Sequence, residues 1–217
     1  MSIEFPDEII AAFHRITTPS VSDALQSLGV HGYVSSRIHR ITGTKIVGPA
    51  VTVKEEPTDE HVPPVHALEA IDEAPAGAVI VIDNGGEAEV AGWGGIMTAG
   101  AVANKLAGVV LDTGVRDVDE IERDYGFTVF AVSQSPSTTL GRFRTVSKGE
   151  PVHIGGVAVA QGDLVVGDRD GVVIVPRALV DEVRRIAEDI EERERQQARL
   201  ILESGSLAQG IATYNRI

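Results

Sequence analysis

The sequence predicts an α/β fold with a parallel βαβ core, a β layer packed beside it and a long C-terminal helix. Three observations predict it. First, "GAVIVID" (77–83), "GVVLDT" (108–113) and "FTVFAVS" (127–133) are short, near-continuous β-branched runs, the pattern of strands covered on both faces. Second, the segments between them, 93–108 and 116–126, carry helix signals. Strands alternating with helices imply parallel pairing with right-handed crossovers. Third, residues 177–205 form one long charged amphipathic segment, in which Leu179, Val180, Val183, Ile186, Ala187 and Ile190 make an apolar stripe.

The remaining elements follow in chain order. Ile9, Ile10, Phe13 and Ile16 recur at helical spacing in 5–16, with acids early in the segment. A second short helix follows "TTPS", stops at Gly29 and has Ser20 and Ser22 as capping candidates. "KIVGPAVTVKEEP" (45–57) alternates as a strand does, and Gly48-Pro49 signals a bulge or bend. "VPPVHALEAIDEA" (62–74) reads as a helix after a proline start. "WGGIMTAGAVANKLAG" (93–108) is a small-residue helix opening on Gly94-Gly95, with Lys105 in mid-helix facing solvent. "RDVDEIERDYG" (116–126) is a helix ending at Gly126. After residue 134 turn residues multiply, and "VAVAQGDLVVGDRDGVVIVP" alternates short strands with Gly-Asp turns, the signature of antiparallel or mixed β structure. The tail "SLAQGIATYNRI" is suited to packing on a neighbour. No linker separates independent units, so 1–217 reads as a single domain.

Composition narrows the function. The formal charge of −13 argues against nucleic acid as the main ligand, since phosphate neutralisation needs clustered Lys and Arg. Without cysteine there is no disulfide, thiolate nucleophile or zinc–thiolate site. No secretory signal is visible at the N-terminus, and no apolar run approaches the roughly 18 residues that span a bilayer. A cytoplasmic protein that binds neither nucleic acid nor membrane is expected. The six histidines make no ligand pattern: His61 and His66 stand apart from His14, His31, His39 and His153. There is neither a P-loop nor a Gly-x-Gly-x-x-Gly fingerprint.

Two places remain that can carry chemistry. Gly94-Gly95 opens a helix and leaves unpaired N–H groups at its positive end, which suits a carboxylate or phosphate; close helix packing would also account for the glycines. In "GVVLDTGVRDVDEIE" (108–122) the chain leaves a buried strand and sets Arg116 beside Asp117, followed by Asp119, Glu120 and Glu122. Acids in a first helical turn are ordinary dipole complements, whereas a cation there opposes the dipole and invites a functional explanation. Ligands of parallel sheets sit beyond the strands' C-terminal ends. Arg116 offers a planar fork to a carboxylate, and Asp117 with Asp119 or Glu120 offers hard oxygens to Mg²⁺ or Mn²⁺.

"GPAVTV" (48–53), residues 92–121 and "GDLVVGDRDGVVIVP" (162–176) together resemble the RraA-like family. It includes 4-hydroxy-4-methyl-2-oxoglutarate/4-carboxy-4-hydroxy-2-oxoadipate aldolases and the regulator of ribonuclease activity A. The likeness runs from "SVSDAL" (20–25) to the C-terminal helix. Its most specific part is Gly95, twenty residues, Arg116-Asp117 and then Glu120. The resemblance implies a swivelling β/β/α-type fold assembled as trimers or hexamers, with active sites between subunits. It implies a metal-dependent, class II-type pyruvate aldolase that cleaves 4-hydroxy-2-oxo acids and decarboxylates oxaloacetate, with Mg²⁺ or Mn²⁺ as cofactor. By position, Arg116 would bind the pyruvyl oxygens, Asp117 would hold the metal with Glu120, and the N–H groups of Ile96 and Met97, after Gly94 and Gly95, would grip the substrate carboxylate. Glu192 or Glu194 of a neighbouring chain would add an acid. Aldolase members of the family carry an acid where this chain has Gly95. The alternative the resemblance leaves open is a non-enzymatic regulator of ribonuclease activity that binds a protein partner.

Overall fold

The computed structural model describes residues 3–214. Residues 1–2 and 215–217, the ends of the expected 1–217 domain and its tail, lie outside the described residues. An eight-stranded sheet organises the chain. Its order is β1 (His39–Thr42), β7 (Val129–Ala131), β5 (Gly108–Leu111), β3 (Val79–Asp83), β2 (Ile46–Pro57), β12 (Leu164–Gly167) and β13 (Val172–Val175), with β9 (Phe143–Lys148) also on β2. The four central strands β7, β5, β3 and β2 are parallel, as the strand–helix alternation predicts, and every other pairing within this sheet is antiparallel.

Strand β2 is the hinge of this arrangement. One edge pairs β3 over Ala50–Lys54. The other edge pairs β12 along Ile46–Pro49 and then β9 along Val53–Pro57. Gly48 and Pro49 stay in regular register, and the shift lies between Lys54 and Glu55 instead. The glycine is there for space: a Cβ at Gly48 would lie 2.0 Å from the Gly77 carbonyl oxygen.

Alternation along the central strands builds two cores. Ile80, Ile82, Val109, Leu111 and Val129 meet α3 (Val65–Glu73) and α4 (Gly95–Ala103) on one face. Val79, Val81, Val110 and Phe130 face a hairpin of β10 (Val152–Ile154) and β11 (Val157–Val159), which is the packed β layer. A third cluster seats α1 (Asp7–Arg15), α2 (Thr18–Ser27) and α6 (Val180–Ser204) on Val47, Leu164, Val166, Val173 and Val175. The expected stripe supplies Val180, Val183, Ala187 and Ile190 to it, while Gly205 in the left-handed region ends α6 before α7 (Leu207–Tyr214).

Three local readings are corrected. The N-cap of α2 is Thr17, which accepts from the Ser20 N–H, so neither Ser20 nor Ser22 caps it. Lys105 lies beyond α4 rather than within it, at φ 59° after the C-cap Asn104. The segment 116–126 is not a uniform helix: a single turn, α5 (Val118–Glu120), passes into a π-helical turn over Ile121–Tyr125 that closes at Gly126. Arg116 and Asp117 precede both.

Candidate functional site

Beyond the main sheet the central strands break and resume. Past β3, β5 and β7 the chain forms β4 (Ala91–Trp93), β6 (Gly114–Val115) and β8 (Ser133–Gln134), a second, three-stranded parallel sheet. The Gly94 and Arg116 segments leave this upper tier side by side, tied by the Arg116 N–H donating to the Trp93 carbonyl at 3.0 Å. The Gly94-Gly95 turn and the Arg116-Asp117 pair, the two places the sequence marks for chemistry, are therefore neighbours, one short sheet further out than the ends of the main strands.

Buried contacts fix the start of α4. The Trp93 indole, 1% exposed, stacks on Phe127 and donates from Nε1 to Thr98 Oγ1 at 2.8 Å. Thr98 in turn donates from its hydroxyl and its N–H to the Gly94 carbonyl, each at 3.0 Å. The first helical N–H, that of Gly95, is taken by Asp117 Oδ2 at 2.9 Å. The N–H groups of Ile96 and Met97 have no partner among the described residues. Two of the expected donors thus remain open to an anion, and the Gly95 donor does not.

Asp117 adopts φ 58° and ψ 31°, a left-handed conformation that costs a residue with a Cβ about 1–2 kcal/mol and that Asp tolerates better than most. The turn swings Asp117 under α4. Arg116 Nε lies 3.5 Å from Asp117 Oδ2, with the two side chains 44% and 36% exposed. Arg116 Nη1 and Nη2, Asp117 Oδ1 and the Glu120 carboxylate make no hydrogen bond or ion pair among the described residues.

The glycines make room for these groups. A Cβ at Gly94 would stand 2.8 Å from Asp117 Oδ2 and 3.1 Å from Arg116 Cγ. A Cβ at Gly95 would stand 2.6 Å from Glu120 Oε1. A side chain at position 95 and the observed position of Glu120 therefore exclude one another. Gly94, Gly95, Ile96, Met97 and Arg116 line one cleft of about 250 Å³. Glu192 and Glu194 are exposed on α6, a helix packed on α1 and α2, and neither belongs to the cleft.

Among the described residues no three acids or histidines are grouped as metal ligands. Asp117 Oδ1 and the Glu120 carboxylate are hard oxygen donors, the type that Mg²⁺ takes from a protein, one or two at a time, while it keeps water or ligand oxygens elsewhere.

A second polar cluster, not singled out by sequence reasoning, lies where the main strands end. Lys54 pairs with Asp83 at 2.9 Å. Asn84 donates from its N–H to Asp112 Oδ1 at 2.6 Å and from Nδ2 to Glu55. Burial pushes Glu55 up to about 7, against the Asn84 hydrogen bond and with help from the Asp112 charge. Burial likewise raises Asp112 to about 6. Asn84 Oδ1 is buried and has no partner among the described residues. The available signal was the acid closing each apolar run, in "VTVKEE", "VIVIDN" and "VVLDT".

Two unpaired guanidinium nitrogens and two open helix-terminal N–H groups share one cleft, an arrangement suited to a small oxygen-rich anion. The family model RraA-like, described as Aldolase/RraA, matches residues 18–174, and the chain belongs to that family. A Halalkalibacterium halodurans protein named "Putative 4-hydroxy-4-methyl-2-oxoglutarate aldolase" is 32% identical over 87% of this chain and 88% of its own length. A Legionella pneumophila protein, "Protein DlpA", is 34% identical over 75% of the chain, which spans only 26% of that protein. Among solved structures, Streptomyces coelicolor RraAS2, described as an unusual member of the RNase ES inhibitor RraA protein family, is 26% identical with a TM-score of 0.80. The match covers 89% of this chain and 97% of that one.

Proposed function

We propose that the chain is a divalent-metal-dependent lyase that releases pyruvate from 4-hydroxy-2-oxo acids or from oxaloacetate. One observation carries the reading: Arg116, with both terminal nitrogens free, shares a cleft with the open N–H groups of Ile96 and Met97. The helix terminus holds the substrate's C1 carboxylate, because two N–H groups and the helix dipole converge there. Arg116 reaches the 2-oxo oxygen, where negative charge grows as the bond beyond C3 breaks. Asp117 orients Arg116 from below and, with Glu120, would hold Mg²⁺ or Mn²⁺. When bound, the ion supplies Lewis-acid polarisation of the 2-oxo acid. Self-association as a trimer or hexamer completes the site in this reading.

The deciding assay is pyruvate release from oxaloacetate and from 4-hydroxy-2-oxo acids, with Mg²⁺ and with EDTA. Release that EDTA abolishes is the expected result. A second reading, a regulator of ribonuclease activity acting through a protein partner, is favoured by the likeness to RraAS2. It predicts no pyruvate from any substrate, together with metal-independent binding to a ribonuclease.

A further inference from the structure

A second cavity, of about 390 Å³, opens where the main sheet itself ends. Three neighbouring parallel strands set its floor. Lys54 of β2 stands opposite Asp83 of β3 in their pairing, and Asp112 directly follows β5. Small molecules bind beyond the carboxyl ends of such strands, and the volume falls within the roughly 300–1,000 Å³ of their sites. None of its lining residues belongs to the Arg116 cleft. Its polar groups are held in place by the fold. Asp83 is 4% exposed and accepts from the Gly85 N–H at 3.1 Å, the His153 N–H at 3.0 Å and Lys54 Nζ at 2.9 Å. Lys54 is thus a fixed cation, its side chain 33% exposed and its other N–H bonds uncommitted among the described residues. Asp112 is 6% exposed and accepts from the Asn84 N–H at 2.6 Å. At the rim Arg37 is exposed, and its guanidinium makes no hydrogen bond or ion pair among the described residues.

We propose that this cavity binds a small monocarboxylate carrying several hydroxyl groups, of the aldonic-acid type. The carboxylate takes the planar fork of Arg37. One hydroxyl donates to the buried Asp112 carboxylate and another accepts from Lys54 Nζ. Charge selects the class. Lys54 is already balanced by Asp83, so Arg37 is the cation of the lining left for a ligand's negative charge. A dianion such as a phosphate ester would meet Asp83 and Asp112, two acids fixed by main-chain donors that cannot move away. An alkyl chain in place of the hydroxyls would exclude water from Asp112 and offer its oxygens nothing in return. The site is separate from the cleft, and the proposal stands or falls independently of the lyase reading.

The test is isothermal titration calorimetry on the full-length protein in its native assembly. The titrants are sodium gluconate, sodium hexanoate, glucitol and glucitol 6-phosphate. Gluconate is expected to bind saturably at one site per chain. Glucitol lacks the charge and hexanoate lacks the hydroxyls, and each is expected to bind weaker by roughly tenfold or more, the yield of a hydrogen bond to a charged group. Glucitol 6-phosphate is expected to bind more weakly than gluconate. Arg37→Ala, at an exposed position, is expected to weaken gluconate by roughly the same factor. Asp112→Asn is expected to erase most of the preference for gluconate over hexanoate. Because Asp112 also supports Asn84, Arg37→Ala decides the matter should Asp112→Asn not fold. Arg116→Ala is expected to leave gluconate binding unchanged. No gluconate binding, binding that Arg116→Ala removes and Arg37→Ala does not, or hexanoate or glucitol 6-phosphate bound as tightly as gluconate each overturns the proposal.

Discussion

Replacing Glu55 by Gln isolates the energetics of a carboxyl held almost without water at the end of β2. Glu55 is 2% exposed and its near neighbours are Asn84, Asp112, Asp83 and Lys54, with the Lys54 charge already engaged by Asp83. Burial lifts its pKa from 4.5 to about 7. The folded chain therefore keeps a proton that the unfolded chain has released, so stability falls as pH rises between these values and is level above about 7. Linkage puts the penalty at about 1 kcal/mol at pH 5.5 and about 3 kcal/mol at pH 8. Gln reproduces the neutral form, and its amide can also serve the unpartnered Asn84 Oδ1. Urea denaturation of both proteins at fixed protein concentration should find Glu55→Gln more stable at each pH. Its advantage should widen by about 2 kcal/mol from pH 5.5 to 8. Parallel stability–pH curves, or a less stable variant at pH 8, would mean that Glu55 is ionised in the fold and stabilised by a charge, which refutes the reasoning.

Substitutions at three further positions probe the site and its support. Arg116→Ala should lower kcat for pyruvate release by about 10²–10³ while the thermal midpoint is kept, and Arg116→Lys should not restore it, because the planar fork is lost. Asp117→Asn retains an acceptor for the Gly95 N–H and tolerance of the left-handed turn. It should leave the far-UV circular dichroism unchanged and raise the Mg²⁺ concentration needed for half-maximal activity by tenfold or more; an unaltered requirement would remove Asp117 from the metal. Thr98→Val strips the buried Trp93 Nε1–H of its acceptor and should destabilise the protein by about 1–3 kcal/mol in urea titrations; no loss would mean that the indole finds another partner.

Much of this was legible in the sequence because two periodicities report directly on burial. The β-branched runs at 79–83, 108–111 and 129–131 announce strands covered on both faces, and the α6 stripe announces the face set on α1 and α2. The cation placed against the helix dipole at Arg116 pointed to the cleft, and the structure brings Arg116, Asp117 and Glu120 to the Gly94-Gly95 turn. What escaped was set by tertiary geometry. The register shift moved from Gly48-Pro49 to Lys54/Glu55, because Gly48 answers the approach of Gly77 rather than a bend. The π-helical turn after Glu120 has no compositional signal. The Glu55–Asn84–Asp112 cluster joins three strands far apart in the chain, so no local pattern could assemble it.

The upper tier of β4, β6 and β8 pairs its own strands, distinct from the ladder of β3, β5 and β7 beneath it. The groups that line the cleft and the foundation beneath them are thus anchored by different sets of main-chain bonds. Mutations that redraw the rim need not disturb the lower floor, and a chain that lost Arg116 would still fold and still present the same outer face. Such a division lets one architecture outlive its chemistry, so that a retired enzyme can persist as an adaptor.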